Sequence, residues 1–388
     1  MLSESTHTRV PGCSDVLPEP AWKLKVLAWP AFRSYGPNPY TKLLYSHLQE
    51  LGVVSDDFSF WRGMTHRYDV FHLHWPEYYI AQKNPLKALL GTIAVLVVVW
   101  WQRLMGAKVV WTVHNLRSHN QTWPIAEDCF WSIFAKSLDG VFFLTENGRQ
   151  LAVNLRPRLS KLCSFVVPHG HYREEYPNTL SREQARAVLG LHANSRVITF
   201  FGTIAPYKNI PRLIEAFRAG FEDDNMTLII AGQCAYASEL ARVQSAAAND
   251  NRIRIIARHI PPAEAQVFLN CADLVVLPYS EILNSGSAIL ALSFDRPVLV
   301  PDQGAMPELR SSVSERWVRC YSGDLTPEVL LDAEMRARSI QNGERPSLQR
   351  LDWAEAARKT QDAYAILTGR TAHPCIASED VAAQTISP

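Results

Sequence analysis

Net charge is almost absent from this chain: 39 lysines and arginines face 38 aspartates and glutamates over 388 residues, leaving +1. That removes any global drive toward nucleic acid or an acidic partner. Cysteine pairs at metal or redox spacing are missing as well. The seven cysteines stand at 13, 129, 163, 234, 271, 320 and 375 with no CxxC and no Cys/His spacing, which argues for reduced thiols over a disulfide framework or a zinc site. No DxD occurs, and the pairs Asp56-Asp57 and Asp223-Asp224 read as turns. The first twenty residues lack an apolar core, which argues against a signal peptide and for a cytoplasmic protein. Residues 1–20 and 370–388 read as disordered tails.

What is present is length and alternation. A chain of 388 residues exceeds one ordinary core and predicts two domains. Short apolar runs alternate with helical stretches. Strands are expected near Leu24–Ala28, Val70–Leu73, Val109–Val113, Val141–Leu144 and Phe165–Val167. A second set is expected near Val197–Phe201, Thr227–Ala231, Ile253–Ala257, Leu274–Leu277 and Val298–Val300. Runs of Val, Ile, Leu and Phe separated by helices predict parallel sheets buried on both faces, hence two doubly wound α/β domains. The first spans 21–168 and the second 169–350. A last helix, 351–369, is expected to cross back to the first.

Between Lys87 and Arg103 no residue is charged. That is short for a transmembrane helix. The stretch reads either as the crossover helix of the first core or as a helix lying in a membrane surface, flanked by Lys83, Lys87, Arg103 and Lys108 with Trp100 and Trp101 at one end. On the second reading, replacing Val97 and Val99 by lysine releases the protein from membranes without unfolding it.

The segment Phe200-Phe201-Gly202-Thr203-Ile204-Ala205-Pro206-Tyr207-Lys208-Asn209 ends an apolar strand at a glycine and precedes an amphipathic helix. Free backbone N–H groups at such a turn favour an anion, and Lys208 adds a positive charge, so a diphosphate would fit. A plain turn with a solvated lysine is the competing reading. In doubly wound sheets ligands lie at the carboxyl ends of strands. This singles out Tyr35–Tyr40, His72-Leu73-His74-Trp75-Pro76-Glu77, His114-Asn115, Arg258-His259 and Pro278–Glu281.

The Gly202–Asn209 loop, the Val166-Val167-Pro168-His169-Gly170 hinge and Ala272–Pro278 followed by Arg296–Val300 together resemble the GT-B-fold, nucleotide-sugar-dependent glycosyltransferases. The second half resembles retaining family 4 in layout. Trp75-Pro76-Glu77, Thr112-Val113-His114-Asn115 and Asn284-Ser285-Gly286-Ser287-Ala288 resemble bacterial exopolysaccharide enzymes of the xanthan β-mannosyltransferase type. The resemblance implies that Gly202, Thr203 and Lys208 hold the donor diphosphate, that the helix opening at Ser285, Gly286 and Ser287 faces it, and that Arg258 and His259 lie near the nucleobase. Glu308 is either a donor ligand or a helix N-terminal acid. One departure stands out: with Glu281 as the first of the family 4 glutamate pair, the second falls at Ile289, which breaks the retaining pattern and suits an inverting enzyme.

An inverting transfer needs a general base on the acceptor side. Glu77 is the first choice and His114 the second. Of His72 and His74, which share a strand face, His74 lies nearer the cleft; His119 and Asp128 are further candidates. The resemblance implies transfer of a sugar from GDP-mannose, or second from a UDP-sugar, to a lipid-linked saccharide, without metal or other cofactor, by an enzyme peripheral on the inner face of the plasma membrane. A catalytically silent scaffold subunit and a sugar-nucleotide epimerase are the alternatives.

Overall fold

The computed structural model describes residues 23–33, 38–117, 122–234, 236–341 and 343–370. Six strands build the first sheet: β1 (Lys25–Trp29), β2 (Val54–Asp57), β3 (Val70–Leu73), β4 (Lys108–Thr112), β5 (Gly140–Phe143) and β6 (Cys163–Val166), in the order β2-β1-β3-β4-β5-β6. Six more build the second: β7 (Arg196–Phe201), β8 (Met226–Ala231), β9 (Ile253–Ile256), β10 (Leu274–Val276), β11 (Val298–Pro301) and β12 (Val318–Tyr321), in the order β12-β11-β10-β7-β8-β9. Every pairing is parallel. The architecture is therefore two Rossmann-like α/β lobes, the GT-B arrangement.

Strand order reverses between β1 and β3 in the first sheet and between β7 and β10 in the second. Chains leave those neighbouring strands toward opposite faces and open a crevice at their carboxyl ends. Both crevices lie where the two lobes meet.

β2 and β12 were not expected. Their sequences, Val-Ser-Asp-Asp and Val-Arg-Cys-Tyr, carry no apolar run, because both sit at sheet edges where one side of the strand has no neighbour. Central β8 is buried at every residue and shows the run that a doubly covered strand requires.

The uncharged stretch forms a 20-residue helix, Pro85–Leu104, with Asn84 as its N-cap. By length and composition it is long and apolar enough to cross a membrane, yet it is the crossover between β3 and β4. Ala88, Val95, Val98, Val99 and Gln102 are buried, and the Gln102 amide donates to the carbonyls of Gly63 and His66. Val97 is exposed while Val99 is wholly buried, so the paired lysine substitution mixes two different sites.

The helix Trp353–Leu367 packs on the helix Tyr40–Glu50 of the first lobe. Gln361 donates to the Leu51 carbonyl and Tyr364 reaches His72. Cys129, Cys234, Cys271 and Cys320 are free thiols, but Cys163 is disulfide-bonded, which departs from the all-thiol expectation. Residues 1–20 and 371–388 of the tails expected to be disordered lie outside the described residues, as do Tyr35, Gly36, Pro37 and His119, while Arg370, counted with the second tail, is described and pairs with Asp69.

Candidate active site

Two glycine turns form the floor of the second lobe's crevice. Gly202 follows β7 at φ +144° and Gly232 follows β8 at φ +153°, backbone that other residues rarely adopt. A side chain at Gly232 would strike the Gly202 carbonyl at 1.8 Å, and one at Gly202 would come within 3.0 Å of Ser287 Oγ. The glycines are there because two turns and a helix end meet at backbone distance. That helix is Gly286–Ser293, capped by Ser285, whose Oγ accepts from Ala288 N–H at 3.1 Å.

A cavity of about 480 Å³ opens over these elements, within the range of small-molecule sites. Gly202, Thr203, His259, Gly286 and Ser287 line it from the second lobe, with Gln233, and Asn38 and Pro39 close it from the first. Tyr172, from the hinge, donates to Asn38 Oδ1 at 3.0 Å and so joins the lobes at the cavity wall. Five of the sequence-selected donor residues thus share one cavity.

Other selected residues lie elsewhere. Lys208 is half-buried, with its ammonium 3.7 Å from the centre of the Tyr279 ring and 4.9 Å from that of Tyr207. Burial opposes its charge, but the two phenols outweigh that and leave its pKa above the ordinary lysine value. Tyr279 Oη approaches Ser285 Oγ at 3.4 Å, so the lysine stands beside the start of the same helix rather than in the cavity wall. Ser285 spends its hydroxyl on the cap. Arg258 is exposed and paired to Glu264 at 2.5 Å, outside the cavity lining. Glu308 is a helix-capping acid, although the helix belongs to the other lobe: its carboxylate accepts from the backbone N–H of Glu146 at 3.0 Å and of Asn147, at the start of the helix Glu146–Leu155. Ile289, at the place of the second family 4 glutamate, is buried and apolar, and Glu281 is exposed.

On the first lobe, a chain of neutral rings runs inward from the interlobe seam. His114 Nε2 meets His74 Nδ1 at 3.0 Å, and His74 Nε2 meets Tyr45 Oη at 2.9 Å. Tyr45 bonds Tyr364, whose Oη meets His72 Nδ1 at 2.6 Å, and His72 Nε2 meets Thr112 Oγ1 at 2.7 Å. Burial holds His74 and His114 well below the usual imidazole range and His72 at about 3, with help from neighbouring imidazoles. His169, under the edge of the Tyr40 ring, is held at about 4 by burial. Both nitrogens of His74 are engaged inside this chain, an arrangement that suits packing and orienting. His171 braces the linker: its N–H donates to the Leu351 carbonyl and its own carbonyl accepts from Trp353 Nε1.

Glu77 sits in the single turn Pro76–Tyr78 beyond the carboxyl end of β3 and is buried. Desolvation pushes its carboxyl up to about 7 against a hydrogen bond from Asn115, with Glu127 adding to the rise. It does not line the cavity described above. It is joined to the seam through Asn115 and the adjacent His114. Trp75 stacks on the His114 ring at 4.4 Å, and the His114 carbonyl accepts from Asn284 Nδ2 of the second lobe at 3.2 Å. Asn38, Tyr172, Tyr279 and Asn284 escaped sequence reasoning, although Asn38, Tyr279 and Asn284 stand within segments it marked.

Residues 195–329 match the family described as glycosyl transferases group 1. The chain is 31% identical over 316 residues, 81% of its length and 84% of the relative's, to GDP-mannose:glycolipid 4-beta-D-mannosyltransferase of Xanthomonas campestris pv. campestris. Among solved structures it resembles sucrose-phosphate synthase of Thermosynechococcus elongatus, with TM-score 0.63, 14% identity and coverage of 90% of this chain and 100% of that one. It also resembles Anabaena HepE in complex with UDP and glucose, with TM-score 0.57, 15% identity and coverage of 88% and 95%. These two likenesses concern the fold.

Proposed function

Because this chain belongs to the GT-B glycosyltransferases, we propose that it transfers mannose from GDP-mannose to the saccharide of a lipid-linked acceptor, inverting the anomeric centre, in assembly of a bacterial exopolysaccharide. The donor lies in the cavity of the second lobe. The N–H groups at Thr203 and the start of the helix Gly286–Ser293 face the diphosphate, Gly202 giving the close backbone approach while its own N–H stays bonded to the Ala231 carbonyl, with Lys208 moving in from its phenol cage. Glu77 serves as base. The acceptor oxygen bonds to the anomeric carbon, its proton passes to the Glu77 carboxylate, and the bond to GDP breaks with its electron pair on the diphosphate. Helix ends and the lysine carry that charge in this reading, with no cofactor or bound metal in the step. Asn284 Oδ1, buried and without a hydrogen-bond partner, would be satisfied by a substrate hydroxyl. The acceptor would be met at the inner face of the plasma membrane by a peripheral enzyme. A UDP-sugar is the second choice of donor.

The observation that carries this reading is the convergence of two glycine turns and one helix N-terminus on a single cavity at a strand-order switch point. The test is a thermal-shift series with GDP, UDP and ADP beside a transfer assay with labelled GDP-mannose and lipid-linked saccharide. A ligand at one hundred times its Kd adds about 2.7 kcal/mol of stability, so GDP should stand out and label should enter the lipid fraction. No nucleotide shift and no turnover would favour a silent scaffold. A donor isomerised without acceptor would indicate an epimerase.

Lys208→Ala is expected to weaken GDP binding by about 1.5–3 kcal/mol, the range of a charge-assisted hydrogen bond, as read by titration calorimetry. An unchanged Kd would leave Lys208 as a spacer between Tyr207 and Tyr279.

A further inference from the structure

The side of the helix Pro85–Leu104 that faces away from the sheet has no protein cover. Leu86, Leu89, Leu90, Ile93, Val97, Trp100 and Leu104 are 47–74% exposed. Steps of three and four residues place them on one stripe, opposite the buried Val95, Val98, Val99 and Gln102. Neighbouring helices widen the stripe on both sides. The helix Phe60–Thr65 brings the exposed Trp61 and Met64, tied in by Trp101 Nε1 donating to the Met64 carbonyl at 3.0 Å. The helix Pro124–Phe134 brings exposed Ile125 and Ile133, next to Trp123, whose Nε1 donates to the Gln82 carbonyl. Single exposed apolar residues need no explanation, but a three-helix face of them marks an interaction surface.

The charges around it select the partner. Residues 78–126 contain Lys83, Lys87, Arg103, Lys108 and Arg117 and no aspartate or glutamate, and the helix Pro124–Phe134 adds one exposed acid, Asp128, so cations predominate. Lys83 and Lys87 are exposed at the start of the helix and Arg103 at its end, the last also 3.3 Å from Asp139. An apolar stripe containing tryptophan and bracketed by cations matches the boundary between the headgroups and acyl chains of an anionic membrane. The helix cannot cross that membrane while its other side packs on β4 and the helix Phe60–Thr65.

The geometry points to this three-helix face as the surface by which the protein lies on an anionic phospholipid bilayer, with the helix Pro85–Leu104 in the interfacial plane. Its first turn lies at the carboxyl edge of the sheet, where Thr122 and Trp123 bond the carbonyls of Ala81 and Gln82. The segment carrying Glu77 rests directly on it: a side chain at Gly91 would meet the Tyr79 ring at 2.3 Å. Docking therefore sets the candidate base at the edge of the lipid surface. Only this last consequence rests on the proposed lipid-linked acceptor; the surface itself does not.

Flotation of the full chain with vesicles tests it. Binding is expected to vesicles of phosphatidylglycerol and phosphatidylethanolamine, to fall with added salt, and to be weak on phosphatidylcholine alone. Ile93→Glu with Val97→Glu changes exposed positions and is expected to lower partitioning by about tenfold or more, while Met335→Glu, exposed on the other lobe, leaves it unchanged. The double variant should keep transfer to a detergent-dispersed, short-chain acceptor and lose transfer to acceptor embedded in vesicles. Val99→Lys, by contrast, should unfold the first lobe. Wild-type protein that ignores all vesicles overturns the proposal. So does a dimer that the double variant dissociates, or a membrane-bound form that survives alkaline carbonate as a spanning helix would. Vesicle binding without transfer would instead refute the proposed activity and leave this surface standing.

Discussion

Glu77→Gln is expected to lower kcat by about 10²–10⁴-fold, the usual contribution of a positioned general base, with little change in the Kd for GDP. The substitution keeps the shape of the side chain and a partner for Asn115 while removing the atom that takes the proton. Glu77 is outside the cavity proposed for the donor, so nucleotide affinity reports on a different place. Burial brings its carboxyl to about 7, where a base is both ionised in a useful fraction and strong enough to accept a proton. The wild-type rate should therefore rise with pH through about 7, and that limb should vanish in the variant. Stability moves the other way. A carboxyl raised from 4.5 to about 7 on folding favours the native state below 4.5 and loses that contribution as pH rises through 7. Glu77→Gln should then be more stable than wild type at pH 8, by up to about 3 kcal/mol. Loss of activity with a gain in stability separates a base from a merely structural acid. A variant that keeps kcat and the pH limb would transfer the role to His114.

Acid is expected to unfold the protein cooperatively between about pH 6 and 4. His72, His74, His114 and His169 are buried and neutral, with His72 held at about 3 and His169 at about 4 against an ordinary 6.5. Depressed pKa values contribute stability that is complete above 6.5 and is lost as pH falls, because the unfolded chain takes up protons that the native chain refuses. Each such group contributes about 1.4 kcal/mol per pH unit. Glu77 opposes with one proton between 7 and 4.5, which leaves about three protons and a slope of about 4 kcal/mol per pH unit. Against a typical total of 5–15 kcal/mol, that is enough to unfold the chain within two or three units. Urea midpoints from pH 8 to 5 measure the slope, and His72→Asn should reduce it by about one proton. A slope below one proton would show that the ring network accommodates charge in the folded state.

The same imidazoles show where sequence reasoning stopped. Alternation along β3 places His72 and His74 on one face, and their rings do stack at 4.3 Å. Nothing local says that Tyr45 and Tyr364, the latter 292 residues from His72, would occupy their nitrogens. Glu308 is a parallel case. An acid near the start of its own helix is legible, but its carboxylate caps a helix about 160 residues away, across the lobe boundary. The strand and the glycine turn of the Gly202–Asn209 loop, in contrast, were readable because both are local, whereas the place of Lys208 and the helix end that meets the turn, Gly286–Ser293, were not.

By itself the sequence determined the eight inner strands and the edge strands β6 and β9, the two lobes, the glycine turn after β7 and the apolar helix with its cationic ends. Each of these follows from burial on both faces of a strand or from backbone geometry, and both leave a mark on consecutive residues. Only the tertiary structure decided that β2 and β12 complete the sheets, that Asn38 and Tyr172 close the cavity of the second lobe, that Lys208 rests between two phenols and that Val97 faces outward while Val99 does not. Those outcomes depend on what a neighbouring element covers. Coverage is a property of chain segments far apart in sequence, and no local pattern records it.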